Sequence, residues 1–420
     1  MNVSLEKSLN FSSVFRYLKN EKSKLDTLTE AYRRLLISNF LYFLIGGITG
    51  LANASFIFHL RDGDIFLNMI DSFGAYCGTL FGFYLTGKLL TSIKVNKLYV
   101  FGMLSSTFSF GPLLYIRSPS VINIVLSGFA AGLGNGLYWS CRHYMTLLST
   151  ENGERNYAGG MESMLMTIAQ LLAPLVFAFS LLSSNDSPHP HISQYKFLFF
   201  FTAMLFFIAA GTILKANYQS ITSQKFIYFN YCSRWKKQSL VNFIEGSVEG
   251  VTYTMPALLF LTFIGTESTL GFMETASVLL STLPIYLLGR YIAPKHRVHL
   301  LSASIASLLI GAMYLAIYSG KTGAFTFYFF NKIAFLLNSF VYVAIRLRSI
   351  DVCSKIENRG KYAYIFNSEL LTEAGRLSTI GSICVLYFCA SKSDTLRFMP
   401  LFVALLQTTC IVFVKRMDQE

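Results

Sequence analysis

The chain has 420 residues, 53% of them hydrophobic and only 14% charged, with a formal net charge of +13. Water-soluble domains carry about 25% charged residues, so 39 Phe and 24 Tyr on so little charge exclude an ordinary soluble enzyme and point to a bilayer. The basic balance does not imply nucleic acid, because Lys and Arg are dispersed between apolar segments, and the seven Cys lie in apolar segments or inner loops, which predicts no disulfide framework.

Residues 1–34 carry Lys7, Arg16, Lys19, Lys22, Lys24, Arg33 and Arg34, with Phe11, Val14, Phe15 and Leu18 at roughly helical spacing. This stretch lacks the apolar core of a cleavable signal peptide. It reads as an amphipathic lead-in lying on anionic membrane lipid. A spanning helix needs about 20 apolar residues. On that basis the predicted spans are 36–60, 65–90, 96–116, 120–148, 158–183, 195–216, 240–264, 268–293, 297–319, 322–352, 362–390 and 396–415. The expected fold is therefore all-α: a polytopic membrane protein with twelve transmembrane helices. Residues 35–216 form one six-helix bundle, 217–239 a basic cytoplasmic linker, 240–416 a second bundle and 417–420 a short tail.

Orientation follows from the basic residues. With the N-terminus inside, about 27 of the 35 Lys and Arg fall on the inner side and about six in outer loops. Both termini are expected in the cytoplasm, and the protein in the cytoplasmic membrane.

The two bundles read as one unit written twice. Asn39 maps on Asn242, Gly47 on Gly250 and Asp71 on Glu274 at an offset of about 203; Tyr138, Arg142 and Arg155 map on Tyr342, Arg346 and Arg359 at about 204. A period of half the chain means two related domains rather than a solenoid. Gly residues crowd the segments at Gly46–Gly50 and Gly128–Gly136, where close helix packing is the expected role.

This organisation resembles the major facilitator superfamily of secondary transporters. The local mark is the loop after the second helix of each half, where the family carries Gly-x-x-x-Asp-Arg-x-Gly-Arg-Lys. Here Phe83 to Lys88, with Lys94 and Lys97, and Ile285 to Arg290, with Lys295 and Arg297, keep the basic positions, while the acidic position is Gly87 or Gly289. The resemblance implies alternating access about a midplane site between the halves, with Lys88 and Arg290 among the gating residues. It also implies that the missing carboxylate no longer holds the outward-open form.

A charge in the centre of a spanning helix costs about 2.5–3.5 kcal/mol even on the lenient insertion scale, so each one needs a reason. Asp71 and Glu274, in the outer third of the second and eighth helices, are candidate proton-coupling carboxylates, as are Glu249 and Glu373. Glu245 and Glu249 share one face of the seventh helix. Two carboxylates so close repel, so one of them can hold a proton near neutral pH; Glu245, nearer the inner surface, reads as a bystander. Glu369, Glu373 and Arg376 form a ladder on the eleventh helix, where Arg376 either pairs within its helix or meets an anionic substrate group. Lys332 is a further isolated cation. Arg142, Arg155, Glu162, Arg346, Arg359 and Glu369 are expected to form inner-gate salt bridges. The polar and aromatic residues Asn53, Tyr76, Asn135, Tyr138, Trp139, Gln170, Tyr253, Asn338, Tyr342 and Asn367 complete an aromatic-rich pocket suited to a medium-sized organic molecule.

Enzyme chemistry is not expected. The six His include only one His-x-His pair, His189 and His191 in an outer loop, and neither a phosphate loop nor a nucleophile elbow occurs. No cofactor and no metal site is predicted. The expected function is a proton-coupled secondary active transporter, working as a monomer on a small organic solute. Export of an amphipathic metabolite, siderophore or drug-like compound (efflux by antiport) is preferred over symport of a sugar, peptide or organic acid. A non-transporting membrane sensor or scaffold is the alternative from another class.

Overall fold

In lipid every backbone N–H and C=O must be satisfied within the protein, which leaves helices as the natural solution for an apolar chain of this pattern. The computed structural model describes residues 25–26, 28–60, 65–116, 119–150, 155–182, 192–218, 225–263, 268–279 and 297–419, and among them no strand occurs.

The helices of the first half are α1 (Glu30–His59), α2 (Ile65–Leu89), α3 (Val95–Phe108), α4 (Val121–Ser149), α5 (Arg155–Leu181) and α6 (Ile192–Leu214). The second half holds α7 (Ser233–Phe263), α8 (268–279), α9 (Arg297–Ile317), α10 (Lys321–Ile356), α11 (Lys361–Cys389) and α12 (Lys392–Thr408), the last extended by α13 (Cys410–Gln419). Among the described residues each predicted span falls on a helix, with 268–293 described only to residue 279, and two kinds of correction apply. Helix α1 starts at Glu30, inside the expected lead-in, because Thr29 caps it by accepting from the Tyr32 amide. Helix α7 starts at Ser233, so the expected linker 217–239 loses its last seven residues to a helix whose inner face buries Arg234, Trp235 and Gln238. The third span is broken: α3 ends at Phe108 and a 3-10 turn, Gly111–Leu114 with Pro112, completes the crossing.

Among the described residues, six helical stretches are long and apolar enough by themselves to cross a membrane; they lie in α1, α4, α5, α6, α9 and α12. The long helices α2, α7, α10 and α11 do not qualify, and they carry Asp71, Glu245, Glu249, Lys332, Glu373 and Arg376.

The first and last of these helices are each bonded to residues flanking the segment between the halves. Tyr218 donates to the Ala31 carbonyl (3.0 Å), Asn96 to the Ala216 carbonyl (3.0 Å) and Arg234 to the Met417 carbonyl (2.8 Å). Glycines set the tightest seams. A Cβ on Gly132 of α4 would run into the Ala75 carbonyl of α2, and one on Gly246 of α7 into the Thr372 carbonyl of α11. Small residues allow this approach where packing, not hydrophobicity, drives association. Helix α4 runs unbroken through Gly128–Gly136, so these glycines serve packing.

The halves meet on two seams. At the end opposite the termini, Phe58, Ile65 and Met69 of the first half share a core with Met255, Ile380 and Ile383 of the second. There Phe66 stacks on Tyr387 with ring centroids 5.8 Å apart, and Phe179 of α5 meets Phe272 of α8 at 5.5 Å.

Candidate functional site

The centre of the molecule is built on three helices. Glu249 of α7, Arg376 of α11 and Tyr76 of α2 each stand near the middle of their helix, so they come together far from either surface. Arg376 donates from Nε and Nη2 to Glu249 Oε2 at 3.0 and 2.5 Å, and from Nη1 to Glu373 Oε1. Its guanidinium lies 5.5 Å from the Tyr76 ring centroid and 5.9 Å from that of Tyr253. A planar fork fits two carboxylates and two aromatic faces at once, which a lysine could not do. Tyr76 belongs to the first half and the other four residues to the second, so the cluster spans the interface between halves.

Glu373 is fully buried, and its Oε2 has no hydrogen-bond partner among the described residues. Glu245 Oε2 is buried in the same condition. Glu245, expected to be a bystander, stands one turn from Glu249 on the same face of α7, with Arg346 and Glu369 near it. Arg346 approaches Glu369 at 3.7 Å. Four carboxylates, Glu245, Glu249, Glu369 and Glu373, thus face two guanidiniums, Arg346 and Arg376.

The first half carries a tighter relative of this arrangement. Arg142 Nε donates to Glu162 Oε1 at 2.8 Å, and the same oxygen accepts from Asn39 Nδ2 at 2.5 Å. Asn39 in turn accepts from the hydroxyls of Tyr99 (2.9 Å) and Tyr138 (3.0 Å). Arg142 also covers the Trp139 ring at 4.8 Å. Both arginine–carboxylate bridges join helices of a single half, not one half to the other.

Of the expected pocket residues, Tyr76 and Tyr253 meet at the central arginine, and Trp139 lies under Arg142. Tyr138 and Tyr342 are fully buried in helix packing instead. Tyr138 stacks on Tyr42 at 3.7 Å, and Tyr342 accepts from Gln407, which also donates to Asn338 (3.1 Å). Asn135 accepts from Tyr42 (2.9 Å), and Asn367 from Trp235 Nε1 (2.8 Å). Gln170 is exposed on α5. Asn53 donates to Asp71 Oδ2 at 2.8 Å, and Lys332 to Glu274 Oε2 at 2.6 Å, with Lys332 over the Tyr328 ring at 5.2 Å. The two carboxylates stand at positions related by the duplication, but their partners do not: Asn53 comes from α1 and Lys332 from α10. Lys88 lies exposed over Tyr84 of its own helix. Arg290 and the His189–His191 pair fall outside the described residues, as does the side chain of Arg155.

One contact between the linker and the bundle was not read from the sequence. Linker residue Phe226 inserts its ring between Phe83 of α2 and Phe366 of α11, at 5.2 Å from the Phe366 ring. A Cβ on Gly87 would come to 2.5 Å from that ring, so the glycine at the family's acidic position is what admits it. Arg359 holds the linker from the other side: it stacks on Tyr228 at 4.3 Å and donates to the Asn230 carbonyl at 2.5 Å. Its ion partner is Glu357 at 3.3 Å, on the side of this linker strap rather than at a bridge between helices of the two halves. The signal available was the pair of departures at Gly87 and Gly289; the partner of Gly87 lies about 140 residues away in the sequence, beyond any local pattern.

No protein-family model matches the chain. Its sequence is 24% identical over 332 residues to the uncharacterised protein YqgE of Bacillus subtilis strain 168, covering 77% of this chain and 74% of that one. Among solved structures, a bacterial homologue of the iron transporter ferroportin in its inward-facing state superposes with a TM-score of 0.69 at 14% identity, over 93% of this chain and 99% of the other. A mutant of the nucleoside transporter NupG gives 0.65 at 13% identity, over 92% and 99%. The major facilitator transporter FucP in its outward conformation gives 0.62 at 13%, over 93% and 99%. The chain therefore has the major facilitator fold. Among the described residues no group of three or more His, Cys, Asp or Glu is placed to hold a metal ion.

Proposed function

We propose that the protein is a secondary active transporter that carries a small organic solute across the cytoplasmic membrane by alternating access, coupled to protons, with both termini in the cytoplasm. The observation that carries this reading is the Glu249–Arg376–Glu373 cluster under Tyr76 and Tyr253 at the junction of the halves. Charges at that depth are expensive and concentrate on transport pathways. Four carboxylates against two guanidiniums leave room for two protons, or for one proton and a cationic group of the solute. Tyr253 is 51% exposed beside Arg376 and offers an aromatic face to an amphipathic solute, which supports efflux of a metabolite-, siderophore- or drug-like compound.

The test is flux in proteoliposomes of the purified protein loaded with a pH-sensitive dye and challenged with pools of siderophores, cationic amphiphiles, sugars and peptides. The expected result is solute-dependent proton movement that Glu249→Gln removes while expression and folding persist. Solute flux indifferent to an imposed pH gradient would overturn the coupling, and chemical conversion of the solute would overturn the carrier.

A further inference from the structure

We infer a binding site for an anionic phospholipid on the outside of the first half, where α1, α5 and α6 meet at the termini-bearing end. A groove of about 930 Å³ opens there. Its rim carries Arg33, Arg34 and Lys215, and its depth is apolar, with Ile37, Leu165 and Phe207 one to two turns farther into the bundle. Cations at the helix ends above an apolar wall match a lipid: phosphate at the boundary, acyl chain below. Gly211 forms part of the wall, and a Cβ there would meet nothing within 4 Å, so the groove is open along α6. Ile37 is 50% and Phe207 66% exposed, which leaves this apolar surface to lipid rather than to protein.

The rim cations are only partly used. Arg34 bonds Glu30 in the preceding turn and reaches the Thr212 carbonyl at 3.5 Å. Arg33 bonds the exposed Asp26 at 3.0 Å through Nη1, while its Nε is buried without a hydrogen-bond partner among the described residues. Three cations against Glu30 and Asp26 leave the rim positive. The occupant is accordingly an anion with an apolar tail. The chain's own leading segment, with Lys7, Arg16, Lys19, Lys22 and Lys24, would meet like charge there. Basic pockets between spanning helices at the headgroup level recognise anionic lipids in this way.

The test places a photo-cross-linking residue at Gly211 of the full-length protein in vesicles of phosphatidylglycerol and phosphatidylcholine in equal amounts. The adduct is expected with phosphatidylglycerol. Native mass spectrometry of delipidated protein titrated with each lipid gives the affinity, and inorganic phosphate added in excess serves as competitor. Arg33→Gln and Lys215→Gln are each expected to weaken phosphatidylglycerol about fivefold, at roughly one surface charge apiece. Gly211→Leu, which fills the groove and leaves every charge in place, is expected to weaken it as well. The site is overturned if the two lipids bind equally, if the charge variants bind as the wild type does, if inorganic phosphate displaces the lipid, or if the cross-link goes to residues 1–24 or to a second copy of the chain.

Discussion

Arg142 in the first half and Arg346 in the second occupy equivalent places in a duplicated chain, yet their surroundings have diverged. Arg142 meets Glu162 at 2.8 Å with side chains 12% and 8% exposed, and Asn39, Tyr99 and Tyr138 finish the network. Arg346 stands 3.7 Å from Glu369 with both side chains more open, at 23% and 22%. Asn242, the counterpart of Asn39, has turned to Gln238 at 2.8 Å and leaves the carboxylates to the arginines. The first half has therefore become a closed, one-to-one clamp. The second holds more acid than base and extends to Arg376, where the other half joins it through Tyr76. Buried pairs add little net stability but can select between conformations. On the proposed alternating-access cycle, the first half would supply a rigid body and the second the charges that change partners.

The comparison can be broken or sharpened by substitution. The largest effect is expected from Arg376→Ala, which strands two intramembrane carboxylates; removing one member of a buried pair costs about 3–5 kcal/mol. The melting temperature in detergent should fall sharply and transport should cease. Adding Glu373→Gln to the same chain should restore much of the stability and none of the flux, and full flux in that double variant would remove Arg376 from the mechanism.

Arg142→Ala should destabilise by about 3 kcal/mol, at the lower end of the same range, because Asn39 still donates to Glu162. Transport per folded molecule should keep its dependence on a pH gradient. Loss of that dependence would mean that the clamp is no mere scaffold.

Phe226→Ala is expected to cost about 2–3 kcal/mol, below the 3–5 of an enclosed phenylalanine, because the strap can settle onto Gly87. Since the strap links α2 to α11, exchange between conformations, read as the distance between spin labels on the two halves, should shift in the same variant. An unchanged distance distribution would make the strap passive. The smallest effect belongs to Lys332→Gln, about 1–2 kcal/mol, because the amide still donates to Glu274, the partner of Lys332 at 2.6 Å.

The sequence by itself determined the crossings, because a lipid-spanning segment must be about 20 residues long and mostly apolar, and that constraint is local. The duplication was legible for a related reason: equivalent helices keep equivalent anchors, as Arg142 and Arg346 do. The intramembrane acids and Arg376 were legible too, since their cost in lipid singles them out. Which of them touch was decided only by tertiary structure. Arg376 could have paired with Glu373 alone, one turn away on its own helix; the close approach of α7 to α11 at Gly246 added Glu249, and the packing of the halves added Tyr76. Glu245 looked peripheral by its distance from the helix end, and the meeting of α7, α10 and α11 brought Arg346 and Glu369 near it. Tyr138 and Tyr342 read as pocket residues by type, and packing buried both. Phe226 carried no signal, because the space that receives it is an absent side chain on a helix far away in the chain. Local composition sets which segments enter the membrane, and side-chain partners depend on helix contacts between residues distant in sequence.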